Sequence, residues 1–170
     1  MDKCKPVRVP IDSNFKYSGE ADPRFETKCR SLIGALLYIS LCSRPDSMVP
    51  VNILARHQHI ANENLWIALK RFLCYLQGTV DLSFEFPVDT RILINIEAYA
   101  DADADWAGDT ATRKSTSGYI IKLFGCLVLW QSRRQSSVSL STAESEYIFA
   151  SQNTFWQVSL ALILSGLCMD

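Results

Sequence analysis

The amino-acid sequence predicts a mixed α+β/α/β fold, in which a helical segment is followed by three antiparallel strands and one long helix. Three observations predict this class. Apolar residues recur every three or four positions between residues 24 and 78, which is typical of helices packed on a core. After Thr79 the pattern changes to short β-forming runs separated by glycine and proline. A capping-box pattern at residues 141–144 then indicates the start of the last helix.

Length and composition are those of a globular protein. The chain has 170 residues, of which 48% are hydrophobic and 21% charged, and this length suits one domain or two small ones. The formal net charge is −1, so any binding to nucleic acid has to come from a local basic patch.

The sequence pattern of the first 43 residues predicts an extended arm followed by a helix. Residues 1–24 are polar and contain three prolines, which predicts an extended arm. Residues 24–43 predict the first helix from the spacing of Leu32, Ile33, Leu36, Leu37 and Ile39. Arg44-Pro45-Asp46 ends this helix, because a residue before proline disfavours the helical conformation.

Two further helices are predicted before residue 80. Asp46 or Ser47 can cap the second helix, which runs to about His57; Pro50 is tolerated in its first turn and kinks it if deeper. Asn62 or Asn64 can cap the third helix, and Gly78 ends it. The apolar stripe of this third helix, interpreted as core, comprises Leu65, Leu69, Phe72, Leu73 and Leu76.

The sequence pattern of the second half of the chain predicts an antiparallel β-meander followed by a helix. Residues 82–86 alternate like a short strand, and strands are also predicted at 92–104, 117–124 and 126–132. Turns at Gly108 and Gly125 make the last three strands antiparallel neighbours. The final helix follows the capping box and continues to about Leu164.

The strand that precedes Gly108 ends in a run of aspartates. Residues 99–109 read Tyr-Ala-Asp-Ala-Asp-Ala-Asp-Trp-Ala-Gly-Asp, and alternation along a strand places Asp101, Asp103 and Asp105 on one face. Neighbouring carboxylates repel one another unless protons or cations offset them, and Mg²⁺ prefers such oxygen ligands. The alternative interpretation is a solvated acidic strand end before a turn.

The last helix offers a further carboxylate. Glu144 and Glu146 are two residues apart, so they point in nearly opposite directions and cannot both face the aspartates. The cap accounts for Glu144, whereas Glu146 lies beside the apolar face. An aspartate of the strand together with Glu146 would form half of a two-metal hydrolytic site. The alternative for Glu146 is an exposed glutamate that the helix dipole favours.

Several features exclude other classes of protein. The six cysteines form no C-x-x-C pair, which argues against a zinc site and favours reduced thiols in an intracellular protein, cytoplasmic or nuclear. His57 and His59 would diverge on a helix, which disfavours a metal role. The N-terminus is not a secretory signal, and the apolar run at residues 32–41 is too short for a bilayer. No membrane partner is expected.

Basic and aromatic residues are candidates for contacts with nucleic acid. Phosphates could be bound by Arg113, Lys114, Lys122, Arg133 and Arg134 on the meander, and by Lys70 and Arg71 on the third helix. Trp106, Tyr119 and Trp130 could stack on bases or sugars. The alternative is a mixed surface with core aromatics.

Taken together, specific motifs along nearly the whole chain resemble the Pol polyprotein of copia-type retrotransposons, in the segment that joins the reverse transcriptase to its ribonuclease H domain. The motifs are Cys29-Arg30-Ser31-Leu32-Ile33-Gly34-Ala35-Leu36-Leu37-Tyr38, Arg44-Pro45-Asp46, Val51-Asn52-Ile53-Leu54-Ala55-Arg56, Tyr75-Leu76-Gln77-Gly78-Thr79, Asp103-Ala104-Asp105-Trp106-Ala107-Gly108-Asp109, Arg113-Lys114-Ser115-Thr116-Ser117-Gly118-Tyr119, Trp130-Gln131-Ser132-Arg133-Arg134-Gln135 and Ser141-Thr142-Ala143-Glu144-Ser145-Glu146-Tyr147.

This resemblance implies a helical, thumb-like segment at 25–80 after the arm at 1–24, and a truncated ribonuclease H-like domain at 81–170. It implies hydrolysis of the RNA strand of an RNA–DNA hybrid with Mg²⁺ (or Mn²⁺), and the rest of the Pol polyprotein as partner. The first catalytic aspartate of the family corresponds to Asp103, with Asp101 as the alternative, because the aspartate motif here is two residues too long. The catalytic glutamate corresponds to Glu146, so Asp103 and Glu146 are the expected metal ligands.

The third aspartate of the family, typically in an Asp-Asn-x-x-Ala motif after this helix, does not follow here. We therefore expect weak metal binding and little or no activity of the chain in isolation. Two alternatives remain open: a non-catalytic module that binds nucleic acid or protein, and an incomplete gene model of an active ribonuclease H.

Overall fold

The computed structural model describes residues 4–12, 15, 17–86, 96–103 and 116–134, with residues 100–103 described by their backbone. It divides the chain into two compact units, Met1–Ser83 and Phe84–Asp170. The described residues form three α-helices and a three-stranded antiparallel sheet, so the mixed α/β class is confirmed. The predicted last helix lies outside the described residues, as does the beginning of the strand predicted at 92–104.

The first unit contains the three helices. They are α1 (Pro23–Cys42), α2 (Met48–Ala55) and α3 (Glu63–Gly78), with single 3₁₀ turns at Pro45–Ser47 and Gln58–Ile60. None of these helices is both long enough and apolar enough to cross a membrane. The Asp22 side chain accepts a hydrogen bond from the Arg24 backbone N–H and caps α1, and Pro23 occupies the first helical position, where a missing N–H is harmless.

The core of the first unit is formed by all three helices. Its fully buried members are Cys29, Ile33 and Leu36 of α1, Val51 and Leu54 of α2, and Leu65, Leu69 and Phe72 of α3. The predicted stripe of α3 is confirmed, with Leu73 and Leu76 partly buried at its border. On α1 the buried side is that of Ile33 and Leu36, while Ile39 is exposed.

The predicted Asn62 cap and the predicted end of α3 at Gly78 are confirmed, whereas the predicted side-chain cap of α2 is wrong. Asn62 caps α3, since its side-chain oxygen accepts the Leu65 N–H at 3.1 Å. Ser47 precedes α2 without a side-chain cap, and Pro50 lies in the first turn, so the helix is not kinked there. Gly78 is the last residue of α3, as predicted, and it ends the helix without adopting the left-handed backbone conformation.

The N-terminal arm has no helix or strand among its described residues, but it packs on the helical unit. Ile11, Phe15 and Tyr17 contact the core cluster. The Tyr17 ring stacks on His57 with centroids 4.4 Å apart, and the Tyr17 hydroxyl donates to the Ile60 carbonyl. The side chain of Asn62 donates to the Ser18 carbonyl at 2.9 Å. The arm is therefore an integral part of this unit.

The second unit contains the sheet, with strands β1 (Ile96–Asp103), β2 (Thr116–Leu123) and β3 (Cys126–Arg134) in the order β1-β2-β3. Phe124 and Gly125 join β2 to β3, and both have positive φ, at 53° and 78°. Positive φ at both positions is typical of the two-residue turn whose twist matches that of the flanking strands. Tyr119 and Ile121 form a small buried cluster with Ile96, Ala98 and Leu129 packed against it.

The strand predicted at residues 82–86 is wrong, because these residues carry no strand structure. They instead contact β3 through Phe84, whose ring lies 5.4 Å from that of Trp130. The Cys126 thiol also donates to the Glu85 carbonyl at 3.0 Å. The alternation of Phe84 and Phe86 therefore reflects side-chain packing and not a hydrogen-bonded ladder.

Candidate functional site

The candidate site is the acidic end of β1. Asp101 and Asp103 are two residues apart in a strand whose pairing with β2 is continuous, with Asp101 opposite Gly118 and Asp103 opposite Thr116. Residues that are two apart on a regular strand belong to the same face. The common face of the two carboxylates stays a prediction, because the structure describes these residues by their backbone and register.

The register also places polar residues of β3 in the same rows as the aspartates. Thr116 is opposite Arg134, so Asp103, Thr116 and Arg134 occupy one row across the three strands. Gly118 is opposite Ser132, which gives a second row with Asp101. Neighbouring strands are about 4.8 Å apart, so the backbones of residues two strands apart are separated by roughly 10 Å. A cation on β3 is thus two strands from the acidic end of β1.

A polar cluster precedes the aspartates on β1. The Tyr99 hydroxyl donates to Glu97 at 3.1 Å, and the Lys122 ammonium lies 5.4 Å from the centre of the Tyr99 ring. The hydrogen bond to the Glu97 carboxylate raises the pKa of Tyr99. Tyr99 is 52% exposed, so an aromatic face and a cation are available to a ligand beside the acidic strand end. The sequence analysis named Lys122 as a candidate contact residue but missed Tyr99. The position of Tyr99, two residues before Asp101 on the same strand, could have indicated it.

The predicted basic and aromatic residues divide into three groups. Arg133 is exposed, and Arg134 is partly buried at the end of β3. Tyr119 is only 6% exposed and belongs to the sheet core, so of the two interpretations left open for this residue the core aromatic is confirmed. Trp130 packs on Phe84. Lys70 and Arg71 are exposed on α3, and Lys122 is partly buried on β2. Arg113, Lys114 and Trp106 lie outside the described residues.

A complete metal site is not formed by the residues that the structure describes. Among them, no group of three His, Cys, Asp or Glu side chains is arranged to hold a metal ion. Glu146, the predicted partner of Asp103, lies outside the described residues, and so does Asp105. The donor chemistry of two strand carboxylates nevertheless suits a hard divalent cation.

Similarity to known proteins relates the chain to transposon polyproteins. Over 147 residues, or 85% of its length, the chain is 38% identical to a retrovirus-related Pol polyprotein from transposon RE2 of Arabidopsis thaliana. It is 34% identical over 160 residues, or 89% of its length, to the Pol polyprotein from transposon TNT 1-94 of Nicotiana tabacum. Over most of its length the chain is thus similar to Pol polyproteins of copia-type retrotransposons.

The match covers only part of these Pol polyproteins. The chain spans 10% of the RE2 polyprotein and 12% of the TNT 1-94 polyprotein. A shorter relative is covered more fully: the secreted RxLR effector protein 161 of Plasmopara viticola is 41% identical over 125 residues, which are 73% of this chain and 84% of that protein. No family profile matches the chain. No solved structure matches it either.

Arg44-Pro45-Asp46, one of the motifs quoted above for the resemblance to Pol, has a structural explanation. Arg44 forms a bidentate pair with Asp46 and also donates to the backbone carbonyl and hydroxyl of Thr79, at 3.1 and 2.6 Å. Tyr75 donates its hydroxyl to Asp46 at 2.6 Å. This network joins the turn after α1 to the end of α3, so the motif stabilises the helical unit and is not part of the acidic site.

Proposed function

We propose that this chain is the segment of a Pol polyprotein that joins a thumb-like helical unit to a ribonuclease H-type domain, which acts on the RNA strand of RNA–DNA hybrids. The observation that carries the proposal is the position of Asp101 and Asp103 at one end of a continuous, paired strand. Similarity to retrovirus-related Pol polyproteins supports the same assignment.

The proposed chemistry is metal-assisted hydrolysis. A divalent cation, Mg²⁺ or Mn²⁺, polarises the phosphodiester and lowers the pKa of a bound water in sites of this kind. Asp103 from β1 and Glu146 from the following segment are the proposed ligands, and Asp101 is the alternative on the strand. Two carboxylates bind such ions weakly, so we expect the chain by itself to cleave little or no hybrid.

Hybrid binding is assigned to the basic residues near the sheet. Arg133 is exposed at the end of β3, and Arg134 is in the row of Asp103. Arg113 and Lys114 are proposed to add two further cations before β2. Each phosphate contact releases counterions, so affinity would fall as salt rises.

Metal binding is the sharpest test of this assignment. We would titrate the 170-residue chain with Mn²⁺ and follow the free ion by electron paramagnetic resonance. Binding should be weaker in Asp103→Asn and in Glu146→Gln, whereas Glu144→Gln is the matched control and should bind like the natural chain. Equal Mn²⁺ binding in all four proteins would overturn the proposed ligand set. Comparison of Asp101→Asn with Asp103→Asn decides between the two aspartates.

Cleavage is measured with the same proteins. A labelled RNA–DNA hybrid incubated with Mg²⁺ or Mn²⁺ should stay nearly intact. Rapid cleavage that disappears in Glu146→Gln would contradict the expected inactivity while supporting the ribonuclease H assignment.

A non-catalytic interaction module is the second candidate. The observation that favours it is the effector of Plasmopara viticola, because 84% of that protein aligns with this chain. In this case the chain binds hybrid or protein without metal-dependent cleavage. Salt-dependent hybrid binding that is unchanged in Glu146→Gln and Asp103→Asn, together with the absence of Mn²⁺ binding, would support the module over the enzyme segment.

A further inference from the structure

The N-terminal arm runs along the end of α3, and the chain passes close to Gly78. A methyl group built on Gly78 would lie 2.9 Å from the Pro6 Cβ, 3.5 Å from the Pro6 Cα and 3.6 Å from the Val7 carbonyl oxygen. These separations are at or below van der Waals contact, so residues 6 and 7 rest directly on the helix at this point. The residues just before Pro6 are therefore held near the last two turns of α3.

Two cysteines meet at this contact. The Cys4 thiol donates to the side-chain carbonyl of Gln77. Cys74 is three residues before Gln77 on α3, and residues with this spacing are neighbours on one helix face. The Cys4 thiol therefore lies beside Cys74, and hydrogen bonding with the Cys74 side chain, ahead of burial, raises the pKa of Cys4. Both side chains are partly exposed, so small reagents in solvent can reach them.

The other cysteines that the structure describes have different surroundings. Cys29 is fully buried in the helical core, and burial raises the pKa of its thiol. Cys42 is exposed at the end of α1. Cys126 belongs to the second unit and contacts the Glu85 carbonyl. Cys4 and Cys74 thus combine mutual contact with access to solvent.

We propose that Cys4 and Cys74 are a reversible disulfide site, which ties the N-terminal arm to α3 when the chain meets a low-molecular-weight disulfide such as oxidised glutathione. The thiolate of one cysteine attacks a glutathione sulfur, the glutathione S–S bond breaks, and one glutathione thiol leaves. The second cysteine then attacks the mixed disulfide and releases the other glutathione. Two protein thiols and one small disulfide become one protein disulfide and two small thiols, so the electrons pass to glutathione.

The thiolate is the reactive form of a cysteine, and the raised pKa of Cys4 keeps its thiol protonated at neutral pH. We therefore expect slow oxidation near neutral pH and faster oxidation as the pH rises. The bond would close a loop that contains α1, α2 and most of α3. Closing a long loop restricts the unfolded chain strongly, so the oxidised form should resist unfolding and keep its arm in place.

Peptide mapping of the full chain tests the site directly. The protein is incubated with oxidised glutathione, remaining thiols are blocked, and tryptic peptides are analysed without reduction. The expected product links residues 4–8 to residues 72–91, each of which contains one cysteine. Its mass should equal the sum of the two peptides minus two hydrogen atoms. Mixed glutathione adducts at Cys4 and Cys74 with no linked peptide would overturn the proposal.

Substitutions provide the controls. Cys4→Ser and Cys74→Ser should each abolish the linked peptide, while Cys42→Ser should leave its yield unchanged. Circular dichroism of the reduced variants shows whether they retain the helices. In the oxidised natural chain, release of the segment that precedes Val9 by trypsin should be lost until a reductant is added. Global unfolding should occur at higher denaturant concentration in the oxidised form than in the reduced one, and an unchanged midpoint would contradict a bond that holds the native arm.

Discussion

Arg44 and Asp46 form a bidentate ion pair in the turn after α1, with guanidinium–carboxylate distances of 3.0 and 2.8 Å. The Arg44 side chain is only 11% exposed and extends to Thr79 beyond the end of α3. The hydrogen bond from Arg44, with a further one from Tyr75, holds the pKa of Asp46 below its ordinary value. The pair thus connects two helix ends that are more than thirty residues apart in sequence.

Removal of the Asp46 carboxylate should destabilise the helical unit. Asp46→Ala leaves the Arg44 guanidinium largely buried without its partner, which we expect to lower the free energy of unfolding by about 2–3 kcal/mol. Urea denaturation followed by circular dichroism measures this change. Asp81→Ala removes an exposed aspartate just beyond Thr79 and should change stability by less than about 0.5 kcal/mol. Equal effects of the two substitutions would contradict the role of the network.

Acid should remove the contribution of Asp46. Its pKa is lowered in the folded chain, so both states are ionised above the ordinary value of 3.8, and the stabilisation is complete there. As the pH falls below that value, the unfolded chain takes up the proton first and the stabilisation is lost progressively. The difference in unfolding free energy between the natural chain and Asp46→Asn should therefore be constant at higher pH and shrink in this acidic range. A difference that persists unchanged to lower pH would exclude this linkage.

Asn62 and Asn64 should differ in their effect on stability, although both donate to the Ser18 carbonyl. Asn62 is buried and also caps α3, so Asn62→Ala should destabilise the chain by about 1–2 kcal/mol. Asn64 is exposed, and the contacts described for its side chain are hydrogen bonds to Ser18. Asn64→Ala should therefore change the free energy of unfolding by less than about 0.5 kcal/mol. Thermal unfolding of the two variants distinguishes them.

Gly34 and Gly78 form a matched pair of helical glycines. A methyl group at Gly34 meets no atom within 4 Å, so Gly34→Ala should stabilise α1 by about 0.5–1 kcal/mol through helix propensity. At Gly78 the same change would collide with Pro6. Gly78→Ala should therefore yield no stabilisation and should speed tryptic cleavage after Arg8, because the arm has to move. Stabilisation by both substitutions would show that the arm does not rest on Gly78.

The turn between β2 and β3 should be sensitive to residues that disfavour positive φ. Phe124 adopts φ of 53° at the position where asparagine is favoured, so Phe124→Asn should stabilise the hairpin by about 1 kcal/mol. Gly125→Ala should destabilise it by a similar amount, about 1 kcal/mol. Hydrogen exchange of the β2 and β3 amides measures both effects. Slower exchange in Gly125→Ala would contradict the turn geometry.

The helices were predictable because their signals are local. Apolar spacing of three and four residues located the core of α3, and an asparagine before it located the cap. The choice between Asn62 and Asn64 could not be made from sequence, because both are good caps. It depends on the buried position of Asn62, which is set by the packing of the arm and the helices around it.

The errors came from contacts between distant residues. Residues 82–86 alternate like a strand, but their aromatic side chains pack on β3 without pairing their backbone to a neighbour. Tyr119 was an open choice between core and base stacking, and its position in the sheet cluster decides for core. The Arg44 network and the meeting of Cys4 with Cys74 join residues 35 and 70 positions apart, which no periodicity reveals.

The sequence also located the acidic end of β1, since alternating alanine and aspartate after a β-forming run is a local pattern. The chemistry proposed for this strand end also depends on residues outside the strand. Glu146 is assigned from its place beside the apolar helix face and from the resemblance to Pol, and Arg113 and Lys114 from the basic charge of the meander; all three stay predictions. Metal titration is the measurement that addresses it most directly.

The helical core is drawn wholly from residues that precede the boundary at Ser83. A truncation anywhere after that boundary would leave every member of this core in the product. We expect such a product to persist as a folded remnant and not as an unfolded chain. Cooperative unfolding of residues 1–83 expressed alone would demonstrate this persistence, and a chain without a cooperative transition would refute it.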